Sequence, residues 1–429
     1  VGIMDRRTEV FGRLDGNFRR SKFGLLSGRF SAKAEAERIV LADEANHEIC
    51  RSKSIRLTGQ KGSAFSILNV TVGNRFHWER TEDQTFHGDL ILVFQKDGTL
   101  AAINEISLED YLTSVISSEM SGEAPLEFLK THAILSRSWL LATLDRKKRK
   151  NERSTPAGNT AKEDGEVMRW YDREDHDFFD VCADDHCQRY QGITKVVSEH
   201  AEEAVRETRG MVITHHDEIC DARYSKACGG ITEEFDTAWD DKRVPYLRSI
   251  SDASVAHRPI TNEEEASAWI LSNPEAYCHT EDEGLLGKIL PDFDRETKAF
   301  YRWRVEYSRP ELEEILREKS GVDFGTLQEI EPLRRGPSGR IVRLRIVGSK
   351  RTMVVGKELE IRRWLSRSHL YSSAFIVKVE GEQLIFHGAG WGHGVGLCQI
   401  GAALMAIRGF TAEDILKHYF REVEIKKIY

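Results

Sequence analysis

Apolar positions alternate with polar ones in short runs through the first hundred residues, then switch to a three-and-four spacing. Phe65 to Val72 and Leu90 to Phe94 read as strands, the second wholly apolar. Lys96-Asp97-Gly98 reads as the hairpin turn after them, because Asp-Gly readily adopts positive φ. From Leu108 the apolar residues fall at Leu108, Tyr111, Leu112, Val115 and Ile116, which line one side of a helix predicted to run to Met120. The next inward position holds Glu119, a carboxylate where the pattern asks for an apolar side chain. Gly122 and Pro125 break this helix, and a second is predicted from about Leu126 to Leu144. Its inward stripe is Leu126, Leu129, Ala133, Leu140 and Leu141, yet Lys130 and Arg137 lie on the same side, two turns apart.

Further along, residues 146–165 are polar and carry Pro and Gly, which predicts a solvated loop; the basic run at its start reads as cations at a helix end. Phe76 to Arg80 reads as strand packing with a charged edge. Residues 167–260 mix short strands and turns. Residues 261–335 look mostly helical around a Tyr301–Tyr307 strand, and Ile341 to Val347, Phe375 to Val379 and Leu384 to Phe386 read as strands. Two short helices close the chain, around Ala402–Ile407 and Thr411–Phe420, with Thr411 as N-cap and Gly409 as a C′ stop. The expected class is α+β. A strand-rich region, 1–100, leads into the first part of a mixed core, 101–260; a mostly helical insertion, 261–335, precedes the rest of the core, 336–429.

Composition narrows the function. The 429 residues carry a net charge of −8, which argues against general nucleic-acid binding. No apolar run is long enough to span a bilayer. The sequence begins at Val1, so a trimmed native N-terminus is expected, and membrane attachment only through an anchor lost from that end. The seven cysteines are scattered, unlike a disulfide framework.

Three features suggest chemistry. Carboxyl groups held among apolar side chains favour the protonated form that a general acid needs, which makes Glu119 a candidate; the competing reading is a structural ion pair with Lys130 or Arg137. Gly388, Gly390, Gly392, Gly394 and Gly396 recur at every second position. In an extended chain they would leave one face bare for a close ligand, with Trp391 and His393 on the other. No Gly-x-Gly-x-x-Gly or Walker loop can be read there, so a glycan fits better than a pyrophosphate. His176, Cys182, His186 and Cys187 offer four nitrogen or sulfur ligands within twelve residues, a composition that suits tetrahedral zinc. Four protein ligands would make the site structural. Adjacent His186 and Cys187 share one ion only if the backbone turns there, and a Cys182–Cys187 disulfide or two free thiols compete with zinc.

Three segments together resemble the SpoIID/LytB family of bacterial cell-wall proteins: Leu108 to Ala142, Cys220 to Asp252 and Gly388 to Phe420. The resemblance implies a lytic transglycosylase that cuts the MurNAc–GlcNAc bond of peptidoglycan strands stripped of stem peptides, in an extracytoplasmic location. It implies Glu119 as catalytic acid/base. It implies substrate contacts at Lys130, Arg137, Tyr224, Ser225, Cys228, Trp391, His393 and Gln399. Some members bind zinc through a His/Cys cluster like that of His176, Cys182, His186 and Cys187; no organic cofactor is expected. The chain departs from many members in having His132 for Gln, and Ser138-Trp139 for a Thr-Tyr pair.

A lytic transglycosylase needs only one carboxyl group, because the C6 hydroxyl of the sugar is the nucleophile; hydrolases use two. The alternatives are a non-catalytic peptidoglycan-binding module that stimulates a cell-wall amidase, and a metallohydrolase with an open metal position near Glu119.

Overall fold

The computed structural model describes residues 1–20, 24–73, 79–151, 160–163, 165–171, 176–295, 297 and 299–429. The fold class is α+β with a strand-rich N-terminal part. Two compact units divide the chain. The first is Val1–Glu123 with Arg173–Arg209, and the second is Ala124–Asp172 with Gly210–Tyr429. The boundaries thus cut across the sequence-based division at 100, 260 and 335.

In the first unit, ten antiparallel strands form one sheet. Alternation builds it: Leu14, Phe18, Phe65, Ile67, Phe86, Leu90 and Leu92 are buried while their neighbours are wetter. The predicted strands appear as Ala64–Val72 and Asp89–Phe94. Gly98 takes a φ of 85° in the turn before Leu100–Glu105, as Asp-Gly predicts. Residues 76–78 of the charged cluster lie outside the described residues. Two helices, Leu108–Glu119 and Glu199–Glu207, complete the unit.

The second unit begins with the helix Leu126–Asn151, which runs about two turns past the predicted end. Arg146, Lys147, Lys148 and Arg149 lie near its end, and Arg and Lys are good helix formers. The predicted loop is therefore corrected at both ends, since Thr160–Glu163 is a strand; residues 152–159 lie outside the described residues. That strand joins Glu166–Arg169, Thr352–Gly356, Ile341–Gly348 and Leu327–Arg335 in a five-stranded sheet. A three-stranded sheet orders Arg302–Ser308, Gln383–Ala389 and Phe375–Glu380. Leu312, Leu316, Leu344, Ile346, Trp364 and Phe386 belong to the core between these elements. Residues 261–335 hold helices Glu263–Leu271, Glu283–Ile289 and Arg309–Ser320. The C-terminal helices are Gln399–Ile407 and Ala412–Tyr419; Thr411 caps the latter through a capping box, and Gly409 has a φ of 90° just beyond the former.

Candidate functional site

In the first unit, Ser107 caps the Leu108–Glu119 helix by accepting the Asp110 amide at 3.3 Å. Tyr111, Leu112, Val115 and Ile116 are buried as predicted, and Glu119, in the last turn, is only 7% exposed. Its Oε1 accepts the backbone amide of Arg189 at 3.0 Å. The same 188–191 segment holds the helix at two more points. The Tyr111 hydroxyl donates to Gln188 Oε1 at 3.0 Å, and the Gln191 amide donates to Ser114 Oγ at 3.2 Å. The Tyr190 ring stacks on Tyr111 with centroids 5.2 Å apart.

Beside these bonds, Ser118 Oγ, Gln188 Nε2 and both side-chain amide atoms of Gln191 are buried without a hydrogen-bond partner. Folded interiors leave few such atoms unpaired. Among the described buried residues of this unit, Glu119 is the one acidic side chain.

The 188–191 segment follows the His/Cys cluster directly. The ligand atoms of His176, Cys182, His186 and Cys187 all lie within 4.8 Å of one another. Cys187 Sγ is 3.4 Å from both His176 Nε2 and His186 Nδ1, and Cys182 Sγ is 3.9 Å from His186 Nδ1. The backbone turn that lets His186 and Cys187 converge is present: the Cys187 amide donates to the Asp184 carbonyl at 2.9 Å. Both cysteines are free thiols.

In the second unit, Lys130 is half-buried and its Nζ lies 2.8 Å from Glu127. Glu127 in turn accepts the Ala412 amide at 2.8 Å. Arg137 is fully buried, and Nη1 donates to the carbonyl of Met211 at 3.0 Å. Gln399 is buried against His132, their side-chain nitrogens 3.0 Å apart, and the His132 ring meets that of Tyr224 edge-on at 4.9 Å. Cys228 is buried too, and Ser225 Oγ is buried without a partner. Arg137, Cys228 and Gln399 were expected to touch the sugar. Their side chains are buried in the interior of the unit.

The glycine-rich segment also corrects the expectation. Gly390, Gly392, Gly394 and Gly396 have φ of 74°, 88°, 75° and 75°, so the chain winds through left-handed positions and presents no bare extended face. The room left by the missing side chains is used by the protein itself. A methyl group on Gly394 would collide with the guanidinium of Arg340. That fully buried guanidinium donates to the carbonyls of Gly392 at 3.1 Å and Cys228 at 3.0 Å, and to Ser338 Oγ at 2.9 Å. Ser338 Oγ donates onward to Glu233 at 2.6 Å, and burial pushes the Glu233 carboxyl up to about 7.

His393 Nδ1 accepts the Val395 amide at 3.0 Å. Burial, followed by the charges of Arg223, Arg340 and Arg362, holds its pKa well below the ordinary histidine value. His393 is thus a neutral brace of the turn. Trp391 is half-buried and stacks on Tyr371 with centroids 4.2 Å apart, with Phe300 at 4.9 Å. This aromatic face is suited to the apolar side of a sugar ring.

Comparison with known proteins bears on both units. The family profile described as "Stage II sporulation protein" matches residues 96–215. Stage II sporulation protein D of Bacillus amyloliquefaciens is 24% identical over 326 residues, covering 76% of each chain. Its counterpart in Bacillus subtilis (strain 168) is 22% identical over the same share. Residues 96–215 thus match the SpoIID family model, and the similarity to the two sporulation proteins extends over three quarters of the chain. An uncharacterized protein of Brachyspira hyodysenteriae is 25% identical over 342 residues, 79% of this chain and 72% of its own. The SpoIID profile takes in Glu119, Lys130, Arg137 and the whole His/Cys cluster. A second profile, a domain of unknown function (DUF8618), covers residues 233–396 and so includes Glu233, Arg340 and His393. Sequence reasoning missed Arg340, Glu233 and the orphaned amides of Gln188 and Gln191. A polar residue in an irregular segment gives no sign of its burial.

Proposed function

We propose that the chain is a peptidoglycan lytic transglycosylase that cleaves MurNAc–GlcNAc bonds of denuded glycan strands and leaves 1,6-anhydro-MurNAc ends. Similarity to SpoIID supports a cell-wall role, and an extracytoplasmic location goes with it. One observation carries the reaction class: Glu119 is the single buried acidic side chain among the described residues of its unit. Hydrolytic glycosidases set two carboxyl groups about 5–10 Å apart. One suffices when the nucleophile is intramolecular. Glu119 protonates the glycosidic oxygen as the C1–O bond breaks. The carboxylate then takes the proton of the MurNAc C6 hydroxyl, whose oxygen bonds to C1, and Glu119 returns to its acid form. Holding nucleophile and electrophile in one sugar lowers the barrier. The unpaired atoms of Gln188, Gln191 and Ser118 would then meet polar groups of the substrate. Within the second unit, taken by itself, Lys130, Tyr224 and Trp391 keep the glycan-contact role that the resemblance implies.

The donor set at His176, Cys182, His186 and Cys187 fits one zinc ion: two imidazoles and two thiols whose ligand atoms converge within 4.8 Å. All four positions would be filled, so the ion would act as a clamp upstream of the segment that holds Glu119, and the metallohydrolase reading loses its open position.

Incubation with denuded glycan strands should yield anhydro-disaccharide ends by mass spectrometry, and Glu119→Gln should remove them. Ordinary reducing ends would make the protein a hydrolase. The stacked Trp391 face favours a second reading, a glycan-binding stimulator of an amidase. It requires binding that survives Glu119→Gln, with no cleavage by the wild type.

A further inference from the structure

A second cluster of ligating side chains lies wholly inside the second unit, and the proposed reaction does not use it. Cys228, Asp252, Cys278 and Cys398 come from four separate stretches of chain, and their ligand atoms all lie within 4.8 Å of one another. Each residue is at most 2% exposed. We propose that Cys228, Asp252, Cys278 and Cys398 form a closed, structural zinc site.

Spacing supports this. Cys228 and Cys278 have their sulfurs 3.7 Å apart, and Cys228 Sγ is 3.3 Å from Asp252 Oδ2. Thiolates about 2.3 Å from a tetrahedral zinc ion stand about 3.8 Å from each other, and a carboxylate oxygen stands slightly nearer. A disulfide needs sulfurs about 2 Å apart and consumes two thiols. It would leave the third thiol and a buried carboxylate without a charge partner in the cluster, an expensive arrangement.

The surrounding donors also fit metal ligands. The Cys228 amide donates to Cys398 Sγ at 3.2 Å, and the Gly230 amide to Cys228 Sγ at 3.4 Å. Asp252 Oδ2 accepts the Cys278 amide at 3.1 Å, and Oδ1 accepts the Tyr419 hydroxyl at 2.5 Å. Bonds of this kind orient ligands and steady their negative charge. Cys398 is the N-cap of the Gln399–Ile407 helix, whose positive end favours anionic groups. On the first turn of that helix, Gly401 leaves the space that the Asp252 carboxylate fills; a methyl group there would press on it. Binding would release the thiol protons to solvent and leave no open position, so the ion would organise rather than react. It would tie the parallel pair Tyr224–Ser225 and Leu397–Cys398 to the loop of Cys278.

Metal content of the full chain tests this independently of glycan cleavage. The His186→Ala/Cys187→Ser variant removes the first cluster, and should still hold one zinc per chain by plasma mass spectrometry. Reconstituted with Co²⁺, it should show thiolate charge transfer from three sulfurs. The Cys278→Ser/Cys398→Ser variant, if folded, should show at most the weaker band of a two-thiolate site. A first-cluster variant that is folded but metal-free would overturn the proposal. So would peptide mapping of the alkylated wild type that finds Cys228 disulfide-linked to Cys278 or Cys398.

Discussion

The backbone amide of Arg189 donates to the carboxylate of Glu119 at 3.0 Å, two residues beyond Cys187. The acid is therefore positioned by the segment that leaves the His/Cys cluster. If zinc clamps that cluster, losing one ligand should loosen the 188–191 segment. His186→Ala is expected to lower cleavage by at least about tenfold, since small displacements of a catalytic group are costly. Amide hydrogen exchange should rise at residues 188–191 while the helix Leu126–Asn151 keeps its protection. Unchanged cleavage in the metal-depleted variant would refute the coupling.

Glu119 itself is expected to be indispensable. General acid catalysis contributes about 10²–10⁴-fold, so Glu119→Gln should reduce the yield of anhydro ends by at least about a hundredfold. The substitution keeps an oxygen for the Arg189 amide, so the thermal midpoint should move little. A variant that retains a tenth of the activity would exclude Glu119 as the acid.

The buried guanidinium of Arg340 supports the glycine turn through the carbonyls of Gly392 and Cys228. Arg340→Met should destabilise the second unit by about 3–5 kcal/mol, because it leaves these buried carbonyls without their charged donor and takes a compensating charge from the neighbourhood of Glu233. Arg340→Lys should recover only part of this loss, since an ammonium cannot reproduce the planar fork. Urea unfolding followed by Trp fluorescence measures it. A loss below about 1 kcal/mol for Arg340→Met would mean that the turn holds itself.

How much of this was legible follows from the range of the interactions. The inward Glu119 could be read because helical spacing is local, and the cap at Thr411 acts within three residues. The His/Cys cluster spans twelve residues, so composition alone exposed it. The glycine segment was misread because period two is shared by an extended strand and by alternate left-handed turns. Nothing local tells them apart; Arg340, about fifty residues upstream, decides it by filling the space. Cys228, Asp252, Cys278 and Cys398 escaped for the same reason, since they meet only once the second unit has folded.

Acid should weaken the second unit through its buried histidines. Burial, and then the charge of Lys226, lowers His132 from 6.5 to about 3. The unfolded chain thus binds a proton that the folded chain refuses. Stability is complete above about pH 6.5 and declines as the pH falls from there towards 3. At pH 5 this single site should cost about 2 kcal/mol relative to pH 7. His393 acts in the same direction. Glu233, raised to about 7 by burial, acts in the opposite one, because its folded form retains a proton that the unfolded form loses between about 4.5 and 7. Comparison with His132→Gln isolates the histidine, since glutamine can still bond to Gln399 and does not titrate. Urea unfolding at pH 5, 6, 7 and 8 should give a stability gap between wild type and variant that shifts by about 2 kcal/mol in favour of the variant at pH 5. Parallel curves would mean that His132 takes up a proton in the folded state as readily as in the unfolded one.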